Sequence, residues 1–359
     1  MVRIDVDGAY ANLVLPPMLD RSQLSQRDRA FVTELVYGAT RLRGSLDWAV
    51  DRFVRAGMEL EPEVRNALRL GAYQLLVLKT PPHAAVSTSV ALVPPRARGV
   101  VNAVLRKVAD SPDRPPVTSS YPAWIVDRLR TDLGPADAAG ALSTMNTPPV
   151  VHRRDDGYVQ DRASQWVADL VGANAGELIL DLCAGPGGKT TAIAHTADVV
   201  ALDVRIGRAR LVSGNATSTD VSDAVRIVAG DGTTPPFRPM SFDRVLVDAP
   251  CSGLGVLRRR PDARWHVQPS DVDDLADLQC RLLDAAASMV RIGGALVYSV
   301  CTLTRRETID VDEWVAREHD ELVAEPVPAD PWRPWGRGGL ILPQTANTDG
   351  MFVLRLRRS

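Results

Sequence analysis

Two patterns of apolar and polar positions divide the chain. Up to about residue 110, apolar side chains recur at helical intervals. In residues 27–38, Phe31 is spaced with Leu35 and Val32 with Val36; after Pro62, Val64, Leu68, Tyr73 and Leu75 fall near one face. Pro62 suits a first helical turn, and Gly38 suits a close helix contact or a helix end. Further helices are expected over residues 83–92 and 99–108. Strand patterns are absent here, so residues 1–110 read as an all-α bundle. Three prolines within residues 111–120 mark a linker. Residues 121–145 look helical, and Pro148-Pro149 closes them.

From residue 178 the pattern changes to short apolar runs separated by helical stretches. The runs are Leu178-Ile179-Leu180, Val199-Val200-Ala201-Leu202, Val225-Arg226-Ile227-Val228, Val245-Leu246-Val247 and Ala295-Leu296-Val297-Tyr298. Residues 271–290 place Leu275, Leu278, Leu282 and Ala286 on one stripe, with Ser270 a fair cap. The alternation predicts a doubly wound, mostly parallel sheet with right-handed crossovers. Four segments result: a helical domain (1–110), the linker (111–120), a lead-in subdomain (121–170) and an α/β domain (171–359).

Composition changes this picture little. The chain has 359 residues, 45% apolar and 24% charged, which suffices for two cores. No run is long enough to span a membrane, and the start lacks an apolar signal segment, so a cytoplasmic protein is expected. Four cysteines without a close pair argue against a disulfide framework and against a metal site. The net charge of −2 hides a local basic surplus: residues 91–130 hold seven Lys and Arg against three Asp. Such a patch can serve RNA, since contacts are made by patches and not by totals.

The candidate chemistry lies at strand ends, where open α/β sheets place their ligands. After the first strand comes Asp181-Leu182-Cys183-Ala184-Gly185-Pro186-Gly187-Gly188-Lys189. Its glycines permit close approach of a nucleotide-like ligand. A P-loop would need Gly where Cys183 stands, and a dinucleotide fingerprint would need Gly or Ala at Thr190. What remains is a turn for a nucleoside without pyrophosphate, such as S-adenosylmethionine. Asp203, at the end of the second strand, is placed to accept ribose hydroxyls, or else to cap the helix behind it. Asp231, after the third strand, is placed to touch the adenine edge, with an ordinary turn aspartate as the alternative. Cys183 would contribute backbone only, and Cys280 would be a small buried hydrophobe. Asp248-Ala249-Pro250-Cys251-Ser252-Gly253 follows the fourth apolar run and Cys301 the fifth. If those strands are parallel neighbours, two thiols and a carboxylate meet at one sheet edge.

The stretch from about residue 140 resembles the RNA cytosine-C5 methyltransferases of the NOL1/NOP2/Sun family. The resemblance rests on residues 181–189, on the intact Asp-Ala-Pro-Cys-Ser-Gly at 248–253, and on Tyr298-Ser299-Val300-Cys301-Thr302. Residues 159–165 and Asp349-Gly350-Met351-Phe352 are also similar to family signatures. The first 110 residues resemble the NusB-like RNA-binding domain, notably in Leu35-Val36-Tyr37-Gly38, Leu70-Gly71-Ala72-Tyr73-Gln74-Leu75 and residues 101–106. That pairing points to the Sun/RsmB-like subgroup, whose members modify a cytosine of small-subunit ribosomal RNA. The chain departs from the family at Val300, at Thr308 and in residues 151–154.

The resemblance implies a Rossmann-like class I methyltransferase domain that uses S-adenosylmethionine and no metal. Cys301 would be the nucleophile, Cys251 the group assisting release, and Asp248 the contact to the base. The cofactor would lie against Cys183, Ala184, Gly185, Pro186, Gly187, Gly188, Lys189, Asp203, Arg208, Asp231 and Asp248, with Asn215 matching a further family position. Arg258-Arg259-Arg260 is expected either to hold RNA phosphates or to be a solvated turn. A monomer acting on small-subunit ribosomal RNA is expected. The competing readings are the same chemistry on transfer RNA or large-subunit RNA, a non-catalytic assembly factor that kept the fold, and a DNA cytosine methyltransferase. The last is disfavoured because those enzymes carry the nucleophile in the Pro-Cys motif.

Overall fold

The computed structural model describes residues 1–359. The chain forms two compact units. One comprises Met1–Asp127, Leu142–Pro148 and Leu257–Val267; the other comprises Arg128–Ala141, Pro149–Val256 and Gln268–Ser359.

The first unit is helical, with its longest helices at Gln26–Arg41, Pro62–Leu76 and Pro95–Asp110. Its core gathers the periodic positions Leu46, Leu68, Tyr73, Val101 and Leu105, all at most 2% exposed. Gly38 marks a close helix contact: a Cβ there would lie 2.1 Å from the Tyr73 ring, so no side chain fits. Arg258 corrects the phosphate-binding expectation. It is fully buried and donates to the Pro148 carbonyl at 2.8 Å, while its own carbonyl accepts from Arg41. Arg259 is half-buried, and only Arg260 is exposed. Arg264 is buried with it, donating to the carbonyls of Arg41, Ser120, Met145 and Leu257 and to Asn146 Oδ1, with its guanidinium 4.2 Å from the centre of the Tyr121 ring. Burial pushes its pKa down to about 10. These arginines satisfy backbone carbonyls that the irregular segments leave unpaired.

The second unit is built on a nine-stranded sheet. Its strands are β1 (Leu178–Asp181), β2 (Asp198–Asp203), β3 (Val225–Ala229), β4 (Phe242–Asp248), β5 (Val290–Val300), β6 (Leu322–Ala324), β7 (Arg333–Trp335), β8 (Gly338–Ile341) and β9 (Met351–Arg358). Every apolar run read as a strand is one. The order is β3-β2-β1-β4-β5-β9-β8-β7, with β6 also paired to β9. β1 to β5 pair in parallel, and β9 runs antiparallel to β5. The doubly wound, Rossmann-like architecture is thus present, with an antiparallel C-terminal edge that the apolar runs did not announce. Central residues such as Val199, Val245 and Leu246 are completely buried, as expected of parallel strands covered on both faces. The long helix Pro269–Met289 starts two residues earlier than a Ser270 cap suggested: Pro269 takes the first position, and Asp271 accepts from the Gln268 N–H at 2.8 Å.

The chain winds from β1 outward to β3, then returns to β4 on the other side of β1. This reversal opens a crevice at the carboxyl ends of β1 and β4. Asp181, Asp203 and Asp248 are the last residues of β1, β2 and β4, and Cys301 directly follows β5.

Candidate active site

The glycine turn is fastened from behind. The Ala184 N–H donates to the Leu202 carbonyl at 2.9 Å, and the Gly185 N–H to Asp203 Oδ2 at 3.0 Å. Arg208 binds the Gly185 carbonyl and places Nε 3.4 Å from Asp203 Oδ2, while Asn215 Nδ2 donates to the Pro186 carbonyl at 2.8 Å. A Cβ at Gly185 would sit 2.5 Å from Asp203 Oδ2 and 2.6 Å from the Arg208 Cβ, so this position admits only glycine. Asp203 also accepts from the Arg205 N–H at 2.9 Å, so one carboxylate ties the glycine turn to the residue that precedes the helix Ile206–Ser218. On the other side Arg154 donates to the Gly188 carbonyl and, at 2.9 Å, to Thr191 Oγ1. Gly187 and Gly188 lead into the short helix Gly188–Ala194.

Asp181 is buried. Its Oδ2 accepts from Thr190 Oγ1 at 2.6 Å, and its Oδ1 is buried with no hydrogen-bond partner. Burial, with help from the neighbouring Asp248, raises its pKa to about 7. Burial and the charges of Asp181, Asp248 and Asp203 push the Cys183 thiol far up, so it stays protonated. Cys280, on the helix Pro269–Met289, is half-buried and raised to about 11, chiefly by burial. Asp231 lies apart from these groups in character: it is exposed, and its Oδ1 is taken by the N–H and hydroxyl of Thr233 at 2.9 and 2.8 Å. These bonds build a turn around one carboxylate oxygen only, so both readings of Asp231 stand.

The strand ends β4 and β5 bring the reactive groups together. Lys189 Nζ donates to Asp248 Oδ2 at 2.6 Å, and Ser299 Oγ donates to Asp248 Oδ1 at 2.7 Å. Both carboxylate oxygens are therefore fixed, yet the side chain remains about one-third exposed. Burial would lower the Lys189 ammonium, but Asp248, Cys301 and Asp181 outweigh it, and its pKa is raised. Cys251 Sγ and Cys301 Sγ lie 3.1 Å apart. The hydrogen bond to the Cys301 sulfur, reinforced by burial, holds the Cys251 thiol well above its usual pKa. Two links join the loops behind the sulfurs: Ala249 N–H to the Ser299 carbonyl and Gly255 N–H to the Cys301 carbonyl, each 3.0 Å.

Two residues of this centre, Ser299 and Glu307, have no role in the reading of the sequence, and a third, Lys189, has a different one. Lys189 was assigned to the cofactor turn, but its ammonium reaches the base-contact acid. Ser299 stood inside the Tyr-x-x-Cys motif without a role. Glu307 lay in a stretch noted only for its departure from the family pattern.

The crevice suits S-adenosylmethionine. Three acids, Asp181, Asp203 and Asp248, face two bases, Lys189 and Arg208, and this negative balance favours a sulfonium over a pyrophosphate. The unsatisfied Asp181 Oδ1 offers an acceptor, and glycine backbone leaves room for close approach.

A model of the 16S rRNA methyltransferase RsmB/F family matches residues 169–357, and a NusB family model matches residues 2–110. The chain belongs to the RsmB/F family. It is an S-adenosylmethionine-dependent ribosomal RNA methyltransferase. A methyltransferase of Mycobacterium tuberculosis is 36% identical, covering 99% of this chain and 94% of its own. The ribosomal RNA small subunit methyltransferase B of Escherichia coli is 31% identical, covering 97% and 94%. Among solved structures, PH0851 superposes with a TM-score of 0.75 at 20% identity, over 94% of this chain and 92% of that one, and so shares the fold. NSun6 from Pyrococcus horikoshii with SFG is 29% identical with a TM-score of 0.51, over 56% and 53%. No helix is long and apolar enough to cross a membrane.

Proposed function

We propose that this member of the family methylates C5 of a cytosine in small-subunit ribosomal RNA through a covalent bond between Cys301 and C6. The observation that carries the reading is the 3.1 Å apposition of two thiols beside the Lys189–Asp248 pair. C5 of cytosine is a weak nucleophile, and addition of a thiolate at C6 activates it. Either sulfur can donate to the other, but Cys251 holds its proton the more tightly and the nearby Lys189 ammonium adds positive charge at Cys301, so Cys301 is the sulfur best placed to carry the negative charge. As the C6–S bond forms, N3 takes up a proton and the ring becomes an enamine, nucleophilic at C5. Asp248, which accepts from the Lys189 ammonium and from Ser299, meets N3 and relays to it the proton that Lys189 supplies.

Residues 183–189, Asp203 and Arg208 would hold the cofactor, with Asp181 behind them. Bound there, S-adenosylmethionine supplies the electrophilic methyl group. With C5 methylated, Cys251, which has released its own proton to solvent once the Cys301 sulfur is bonded to C6 and no longer accepts from it, takes the C5 proton. The C5–H electrons form the C5=C6 bond, the C6–S electrons return to the Cys301 sulfur, and N3 gives its proton back through Asp248 to Lys189. The target base must leave its stack to reach these groups.

The test is incubation with labelled S-adenosylmethionine and small-subunit RNA lacking the modification, with bisulfite sequencing of the product. Label at C5 of one cytosine is expected. Label at another atom, or only in transfer RNA or large-subunit RNA, would overturn the proposal.

A further inference from the structure

The strongest feature outside the reacting groups is a buried carboxylate that holds the residue following each cysteine. Glu307 is fully buried. Its Oε1 accepts from the Ser252 N–H at 2.7 Å and from Gln279 Nε2 at 3.3 Å. Its Oε2 accepts from Ser252 Oγ at 2.5 Å, Thr302 Oγ1 at 2.9 Å and Thr304 Oγ1 at 2.8 Å. Ser252 directly follows Cys251, and Thr302 directly follows Cys301. The two hydroxyls also lie 2.9 Å from each other. Gln279 extends the grip by donating to the Pro250 carbonyl at 2.8 Å, on the other side of Cys251. The hydroxyl of buried Tyr298 lies 2.8 Å from the Glu307 carbonyl and 2.9 Å from Gln279 Oε1, so the side chain that grips and the amide that helps it share one support.

Only an acceptor-only group fits this position. Five donors converge on two oxygens, which more than fills the roughly four lone-pair sites of a carboxylate and exceeds what the single oxygen of an amide can take. In a Gln, the NH2 group would face either the Ser252 N–H or three hydroxyls. A buried charge of this kind is retained only where it is fully hydrogen-bonded, and here it is.

We propose that Glu307 is a positioning residue: it ties the loop carrying Cys251 to the loop carrying Cys301 and thereby sets the contact between the two sulfurs. The backbone links Ala249 to Ser299 and Gly255 to Cys301 keep the loops neighbours without it, so its loss loosens the sulfur contact while the sheet persists. The inference deepens the covalent reading of the thiol pair, but its test reads sulfur proximity and not methyl transfer.

The experiment uses the full-length reduced protein treated with diamide, and the Cys251–Cys301 cross-link is followed by mass spectrometry. Alkylation of Cys280 serves as a control for global opening. Glu307→Gln is expected to form the cross-link about tenfold more slowly, with Cys280 alkylated at the wild-type rate, because a misplacement of about 1 Å carries effects of this order or larger. In methylation assays the same variant lowers kcat and leaves the KM for RNA unchanged. Ser252→Ala, which removes one hydroxyl contact and spares the backbone one, is expected to slow the cross-link by a smaller factor, and it decides the matter if Glu307→Gln does not fold. Wild-type cross-linking in Ser252→Ala, or in folded Glu307→Gln, would overturn the proposal. If the variants cross-link slowly as expected but the wild-type protein methylates no RNA, the positioning role stands and the cytosine-C5 reading falls.

Discussion

Asp181 makes a quantitative prediction about how stability depends on pH. In the unfolded chain this carboxyl titrates near its usual value of 3.8; in the fold, burial moves it to about 7. Between those values the folded protein holds a proton that the unfolded chain has released. Stability from this group is therefore fully present below the unfolded pKa and is lost as pH rises through about 7. Asp181→Asn keeps an acceptor for Thr190 and carries no charge at any pH, so it removes this dependence. From about pH 5 to about pH 8 the carboxyl crosses roughly two units on the sloping part of the curve. At about 1.4 kcal/mol per unit, the variant should gain about 3 kcal/mol on the wild type across that span. In a unit of this size that is a relative rise in Tm of several degrees. Calorimetric unfolding of both proteins without cofactor, at a series of pH values, measures it. Tm curves that run parallel between those pH values would refute the reasoning, because Asp181 would then be charged in the fold throughout.

Other predictions follow from neighbouring groups. Lys189→Met removes the cation from Asp248 and should lower kcat by roughly 10²-fold to 10³-fold with the KM for RNA near wild type; a loss below threefold in a steady-state methylation assay would contradict the pairing. Arg208→Ala frees the Gly185 carbonyl and should weaken S-adenosylmethionine binding about tenfold, or about 1.4 kcal/mol, by titration calorimetry; binding within twofold of wild type would show that the turn holds itself. Arg258→Ala should cost about 3 kcal/mol of stability in denaturant melts, since a buried group loses its partner. It should leave the salt dependence of RNA binding unchanged, and a shallower slope would return Arg258 to the phosphate contacts.

The sheet was legible because parallel strands covered on both faces must be short uninterrupted apolar runs, and Leu178-Ile179-Leu180 or Val245-Leu246-Val247 can be little else. β9 escaped because Met351-Phe352-Val353-Leu354-Arg355-Leu356-Arg357-Arg358 ends in alternating arginines, and the other strands of that edge, β6, β7 and β8, are only three or four residues long. The glycine turn and the two cysteines stood out because their residue types are rare in such places. Glu307 did not: Arg305-Arg306-Glu307-Thr308 reads as a solvated helix start, and only the folding of two separate loops around the carboxylate buries it. Arg258 failed for the same reason. A run of three arginines suggests solvent or phosphate, whereas the first is drawn inward by the carbonyl of a residue 110 positions earlier. Asp203 took a role that neither of its readings named: its carboxylate ties the Gly185 N–H of the turn to the Arg205 N–H ahead of the next helix.

The central claim is that Cys301 bonds to the base and Cys251 releases it. Its most direct measurement is the reaction of Cys251→Ala with unmodified small-subunit RNA and S-adenosylmethionine, followed by denaturing electrophoresis and mass spectrometry of any protein–RNA adduct. The account predicts a stable adduct attached at Cys301 in Cys251→Ala, and none in Cys301→Ala. An adduct that forms in Cys301→Ala and maps to Cys251 would contradict it and exchange the two roles.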